Sequence, residues 1–373
     1  MVREDAFRPP PDAAVLNEAG VCRTGSVSGL ACAPTGDLPI AHAVISAATR
    51  DCGGQARIVE TESDARGNFR LTGLAPGVTE VTLTAGNFVG RFAVEVLGGA
   101  DVFLSGGLSN KVCLRADAAR LAVLTGNFDR MQDRLDDLGF SYDLYCGGSS
   151  GHREARRMLA DWDRLRRYQI LFVNCASGID LRATNREVQV IVENLRRFVA
   201  EGGSMYVSDL AADFVERLWP GQVDFEMTVP GEGRADACCV CTECPDGCVD
   251  REAGPTLNCP EGDDLPQACR RTSGVIGRGA PGEIPSRIVS PFLQSYLDDE
   301  ALDVVLDLGG WVSVLAVDRS VEVLVEGEAD GRPLMVLLQP VEGGGRVAYT
   351  SFHNHRQATE AMKQILRALV FRL

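Results

Sequence analysis

Apolar and polar positions follow two rhythms along this chain. Between residues 26 and 114 short runs alternate apolar with polar, as in residues 43–47, 67–71, 80–84 and 91–96. Gly, Pro, Asp and Asn divide these runs about every ten residues, the spacing of an antiparallel sandwich. From residue 119 the rhythm changes to unbroken apolar blocks separated by helical stripes. Residues 120–126, 141–146, 169–175 and 204–209 read as strands buried on both faces, with helices predicted over 128–139, 153–167, 186–200 and 210–218. The stripe over 186–200 is the strongest. Val188, Ile191, Val192, Leu195, Phe198 and Val199 share one face, and Gly202 and Gly203 close it. Further strands are expected over 311–317, 321–325, 334–338 and 346–352, and a last helix over 358–373.

Strand, helix, strand, helix is the unit of a parallel sheet, whose chemistry gathers at the carboxyl ends of its strands. Those ends carry Asn174 and Cys175, Ser208 and Asp209, and, after the final strand, His353 and His355. A Ser or Cys nucleophile needs a base within reach and a third group to orient that base. Ser208 or Cys175 with His353, oriented by Asp209 or His355, would fill those roles. The plainer use of Ser208 and Asp209 is to cap a helix N-terminus, and of Cys175 to fill core space.

Two stretches resemble known families. Ser63-Asp-Ala-Arg-Gly-Asn-Phe-Arg-Leu-Thr-Gly-Leu-Ala-Pro-Gly77 is similar to the D-x-x-G-x-F-x-L-x-G-L-x-P-G signature of carboxypeptidase regulatory-like domains. That resemblance implies a prealbumin (transthyretin-like) sandwich and an accessory role. The order of elements after residue 119, with Thr350-Ser-Phe-His-Asn-His355, resembles class I glutamine amidotransferase-like domains, nearer the divergent ThuA-like members. The family's terminal strand carries F-H-P-E, which supplies the His and Glu of a Cys-His-Glu triad. His353 falls on the His, and His355 stands at the Glu. Ser208 falls where the family's nucleophilic Cys stands, without the Gly that permits the sharp turn. The resemblance therefore implies a flavodoxin-like frame with an altered triad.

The expected architecture is an α/β parallel sheet, flavodoxin-like or amidotransferase-like, preceded by an N-terminal all-β prealbumin-like sandwich. Residues 1–24 form a Pro-rich extended lead-in, 25–117 the sandwich and 118–373 the α/β domain. Residues 221–290 lose the pattern and read as an insertion. The chain has 373 residues, enough for two domains, with 45% hydrophobic and 24% charged residues. Its net charge of −15 excludes nucleic acid and anionic membrane as partners, since both need a basic face. No apolar run is long enough to span a bilayer.

Thirteen cysteines change the picture again. Cys238, Cys239, Cys241, Cys244, Cys248, Cys259 and Cys269 crowd into the insertion, with no His among them. Cys241-x-x-Cys244 is half a zinc knuckle, but no second matching pair follows, so disulfides lead over metal. One of the seven would pair outside the segment, for example with Cys146. Cys32 and Cys52 flank the second strand and could pair across it; Cys22 and Cys113 bracket the sandwich and could staple its ends. So many disulfide candidates imply an oxidising compartment, periplasmic, cell-surface or extracellular, although the first residues carry no apolar signal core. The leading expectation is an exported, non-catalytic binding or assembly protein. It would have no cofactor and would contact a protein, a surface glycan or a second copy. The alternatives are a hydrolase or amidase using Ser208 or Cys175 with His353, and, by family analogy, a carbohydrate-binding or sugar-processing protein.

Overall fold

The computed structural model describes residues 23–104, 111–181, 185–228, 241–244, 248–250, 276–277, 279–297, 301–306, 308–354 and 358–373. Two compact units divide the chain, one built chiefly from residues up to Ala119 and the other from Arg120 onward.

The first unit is made of strands: β1 (Gly25–Cys32), β2 (Val44–Arg50), β3 (Ala56–Glu62), β4 (Asn68–Leu74), β5 (Gly77–Ala85), β6 (Phe88–Val96), β7 (Asp101–Phe103) and β8 (Lys111–Cys113). They form two four-stranded sheets, one ordered β4-β1-β7 with β8 also on β1, the other β3-β2-β5-β6. The period-two alternation is realised in β4 and β5, where Phe69, Leu71, Val81, Leu83 and Ala85 are buried. The turn before β4 is built as its residues dictate. Asp64 Oδ1 accepts from the amides of Arg66 and Asn68, at 2.8 Å each, and Gly67 takes the left-handed φ of 78°.

The cysteine pairing in this unit differs from expectation. Cys32 bonds Cys113, not Cys52, and Cys113 is therefore unavailable to Cys22. The cause is register. β8 runs parallel to the end of β1 with Cys113 opposite Cys32, which brings the two Cα atoms to 4.3 Å. Cys52 is disulfide-bonded as well. Cys22 lies outside the described residues.

The second unit begins with β9 (Leu121–Leu124), α1 (Met131–Leu138), β10 (Tyr142–Tyr145), α2 (Gly148–Ala160), α3 (Trp162–Leu165), β11 (Ile170–Val173), α4 (Arg186–Ala200) and β12 (Ser204–Ser208). A 3-10 turn, Asp209–Ala211, and α5 (Asp213–Glu216) follow. Next come β13 (Val223–Thr228), a backbone hairpin of β14 (Cys241–Cys244) and β15 (Cys248–Asp250), β16 (Ile276–Gly277), β17 (Gly282–Ile288) and α6 (Pro291–Gln294). The unit ends with β18 (Ala301–Leu306), β19 (Ser313–Val317), β20 (Glu322–Gly327), β21 (Pro333–Leu338), β22 (Val347–Thr350) and α7 (Glu360–Val370).

Its main sheet has nine strands in the order β10-β9-β11-β12-β22-β21-β20-β17-β18. The first five are parallel and follow the doubly wound order 2-1-3-4-5. The remaining four run antiparallel, so the sheet is mixed and not parallel throughout. The reason lies in the connections. Turns as short as those around Gly331 and Gly343 join β20 to β21 and β21 to β22, and a parallel crossover needs a dozen residues or more. The segment expected to be an unpatterned insertion also contributes structure: β17 enters the main sheet, and β13 pairs with β19 and β16.

β9, β11, β12 and β22 are buried along their whole length. Their continuous apolar runs have a physical cause, since a central parallel strand is covered on both faces. α4 supplies much of one cover through Val188, Ile191, Val192, Leu195, Phe198 and Val199. Its N-cap is Asn185, whose side chain accepts from Val188 N at 3.0 Å. Gly203 ends the connection where a Cβ would stand 2.4 Å from the Phe198 ring. Among the described residues no helix is long and apolar enough to cross a membrane.

Candidate functional site

The parallel strands converge on one edge, and three of them deliver side chains to a single buried point. β11 ends into Cys175, β12 into Asp209, and the chain after β22 reaches His353. Two backbone reversals shape this edge. Asp209 has φ 45° and Ala176 has φ 58°, both in the left-handed region that a side chain with a Cβ disfavours. The turn at Asp209 converts a fully buried strand directly into the 3-10 turn Asp209–Ala211. Gly126 makes room on the neighbouring strand end: a Cβ there would lie 2.0 Å from the Cys175 carbonyl oxygen.

Asp209 is the centre of the group. Its Oδ1 accepts from Val312 N at 2.7 Å, and its Oδ2 accepts from Cys175 Sγ at 3.2 Å. His353 Nε2 stands 3.7 Å from the same Oδ2. Cys175 is fully enclosed, and Asp209 and His353 are only 4% and 5% exposed. Burial raises the Asp209 carboxyl to about 7. Burial, reinforced by the Asp209 charge, pushes the Cys175 thiol well above its usual range, and the nearby Leu210 backbone amide offsets this only in part. Asp209 and His353 also line a cavity of about 50 Å³, whose walls include Phe128, Leu306, Leu308 and Trp311.

A second carboxyl, Asp129, lies in the loop after β9. Its Oδ1 accepts from Arg130 N at 2.7 Å and from Asn354 N at 2.9 Å. Its Oδ2 accepts from Ser208 Oγ at 2.5 Å and Tyr206 OH at 3.1 Å. Asn354 Nδ2 donates to Arg130 O at 2.7 Å, closing the link between the two loops. Burial lifts the Asp129 carboxyl to about 6 despite the four donors, which favour its charged form. Asp129 thus clasps three strand ends together.

The arrangement decides which expected residues meet. Cys175, Asp209 and His353 come together. Ser208 points instead to Asp129, and its side chain makes no cap bond to the turn that follows. His353 lies beyond the end of β22, so strand alternation does not govern where it points. His355 lies outside the described residues, as do Cys238, Cys239, Cys259 and Cys269. Cys241, Cys244 and Cys248 are placed in backbone only. Cys146 is disulfide-bonded.

Sequence reasoning missed Asp129, Tyr206, Phe128 and Trp311. A signal existed for the first: Asp129 follows a buried strand at the same sheet edge, where ligands and chemistry gather. No sequence signal places Trp311 beside Asp209, because β19 enters this neighbourhood from a separate sheet.

No protein-family model matches the sequence, and no curated protein matches it. Solved structures do show likeness. A glutamine amidotransferase from Thermotoga maritima is 8% identical, with 68% of this chain and 97% of that one covered and a TM-score of 0.39. A ThuA-like protein from Parabacteroides merdae is 13% identical, with 68% and 89% covered and a TM-score of 0.39. A minor pilin from Streptococcus agalactiae is 18% identical, covering 25% of this chain and 44% of its own, with a TM-score of 0.18. The structural neighbours of this chain thus include glutamine amidotransferase-like and ThuA-like proteins at low identity.

Proposed function

We propose that this chain is an exported, non-catalytic binding or assembly protein whose α/β unit is a degenerate amidotransferase-like frame. One observation carries the reading: the strained turn that would present a nucleophile carries Asp209 instead. The two nucleophile candidates beside it are both restrained. A thiol attacks as its thiolate, and Cys175 is buried against a carboxyl that opposes ionisation. The Ser208 hydroxyl donates to a carboxylate and not to an imidazole.

Export is supported by the Cys32–Cys113 disulfide and by the bonded state of Cys52 and Cys146, since such bonds persist in oxidising compartments. The first unit would be a prealbumin-like sandwich of the carboxypeptidase regulatory-like kind, supported by the Asp64–Gly67 turn and the buried alternation after it. Its role would be accessory, and the partner a protein, a surface glycan or a second copy.

The test is chemical labelling of native protein with its disulfides intact. Iodoacetamide and a fluorophosphonate are applied, and modified peptides are mapped by mass spectrometry. We expect neither Cys175 nor Ser208 to react until the protein is unfolded, when Cys175 alkylates. Native labelling of either residue that is lost in His353→Ala would overturn the proposal in favour of a hydrolase or amidase.

A further inference from the structure

We infer that Cys175, Asp209 and His353 form a binding site for one divalent transition-metal ion of the zinc class, with a fourth coordination position open to the adjoining cavity. The inference does not depend on the non-catalytic reading.

The donor set comes first. One sulfur, one carboxylate oxygen and one imidazole nitrogen converge, and all three ligand atoms lie within 4.8 Å of one another. Zinc binds sulfur at about 2.3 Å and nitrogen or oxygen at about 2.0–2.2 Å, so the edges of its tetrahedron measure roughly 3.3–3.6 Å. The Sγ–Oδ2 edge here is 3.2 Å and the Nε2–Oδ2 edge is 3.7 Å. An ion could enter with shifts of a few tenths of an ångström along these two edges. Calcium and magnesium take oxygen ligands almost exclusively, so the sulfur and nitrogen select against them.

Charge points the same way. A thiolate and a carboxylate bring two negative charges into an enclosed site, and a divalent ion neutralises both. Among the described residues the only basic group within ion-pair distance of Asp209 is His353.

The supporting groups are already aimed. Val312 N–H holds Asp209 Oδ1, which leaves Oδ2 turned toward the sulfur and the imidazole. The ligands sit on the rigid ends of three strands, two of them beside left-handed turns at Ala176 and Asp209. Three protein ligands with an open position is the pattern of zinc sites that accept an exogenous ligand, unlike four-ligand structural sites. The cavity of about 50 Å³ that Asp209 and His353 line has room for a water or a similarly small oxygen ligand there.

Metal binding must displace the thiol proton, since the thiolate is the ligand. The test titrates Co2+ into chelator-treated native protein with disulfides intact. We expect one Co2+ per chain, a near-ultraviolet thiolate-to-cobalt charge-transfer band, d–d bands of tetrahedral intensity, and release of at least one proton per ion. Cys175→Ser should abolish the charge-transfer band, and His353→Ala should weaken binding at least tenfold. Absence of the band in the wild type, or its persistence in Cys175→Ser, overturns the inference and in the latter case moves the metal to another cysteine. Should Cys175→Ser fail to fold, X-ray absorption of the zinc-loaded wild type decides. One sulfur with two or three nitrogen or oxygen neighbours supports the site, and a shell of several sulfurs overturns it.

Discussion

Replacing Asp129 separates two effects that its position combines, hydrogen bonding and buried charge. Asp129→Ala removes the acceptor of four bonds. Tyr206 keeps a partner in Thr350 Oγ1, 3.1 Å away, and Arg130 N keeps one in the Asn354 carbonyl at 3.0 Å, but the amide of Asn354 and the hydroxyl of Ser208 lose their acceptor. At about 1–3 kcal/mol for each of these two orphaned buried donors, the loss is about 2–6 kcal/mol. Asp129→Asn behaves differently. Its oxygen can still face the two amides, while its NH2 faces two hydroxyls that can rotate to accept. No donor is orphaned, so this variant should be less destabilised than Asp129→Ala. The pH dependence then isolates the charge. The folded carboxyl titrates at about 6, against 3.8 when unperturbed, because burial disfavours its ionised form. A raised folded value means that Asp129 contributes most to stability below pH 3.8, and that this contribution is lost as pH rises through about 6. At about 1.4 kcal/mol per unit, the gap between wild type and Asp129→Asn should narrow by about 2 kcal/mol from pH 4 to pH 7. Asp209 titrates in both proteins and cancels from the difference to first order. Urea unfolding followed by tryptophan fluorescence suits the measurement, because Trp162, Trp219 and Trp311 all lie in the α/β unit. A gap that stays constant across this range would refute the buried-charge argument. An Asp129→Ala variant no weaker than Asp129→Asn would refute the clasp.

Three further outcomes are expected. Asp209→Ala and Asp209→Gly both forfeit the Val312 bond, but only alanine retains the strain of φ 45°, so in metal-free urea titrations alanine should be less stable by about 1 kcal/mol; equal stabilities would mean that the turn is unstrained. Removing the Cys32–Cys113 bond with a double alanine variant should destabilise the first unit by about 4 kcal/mol, because the bond closes a loop of 81 residues; thermal melting by far-ultraviolet circular dichroism reads it, and an unchanged melt would show that pairing of β1 with β8 suffices. Gly126→Ala puts a Cβ 2.0 Å from the Cys175 carbonyl oxygen, so the Cys175 loop must shift; stability should fall by about 2–3 kcal/mol and native Cys175 should begin to alkylate on the scale of minutes, as mass spectrometry would show.

Much of the α/β frame is legible because its signals are local. The stripe from Val188 to Val199 needs no tertiary information to be a helix, and the unbroken blocks at 170–173 and 204–207 can hardly lie anywhere but in the middle of a sheet. What escaped is non-local. The pairing of Cys32 with Cys113 follows from a parallel register between strands 81 residues apart, and spacing alone does not encode it. The strand Val223–Thr228 was hidden for a related reason. It alternates apolar and polar residues but borders a Gly-, Pro- and Cys-rich stretch, and its partner β19 lies far along the chain.

The most instructive miss is a matter of one residue. Aligning the motif places Ser208 at the nucleophile position, whereas the left-handed turn falls on Asp209. Side chains alternate along a strand, so a shift of one residue exchanges the two faces of the sheet. Ser208 shares its face with Tyr206, two residues earlier, and both donate to Asp129. Asp209 is carried to the other side by the turn and meets Cys175 and His353. The same residues therefore support two chemistries according to where the strand ends. With the turn at Ser208, a hydroxyl would face an imidazole, as acyl transfer requires. With the turn at Asp209, a carboxyl stands beside an imidazole and a thiol, the donor set from which we infer a metal site.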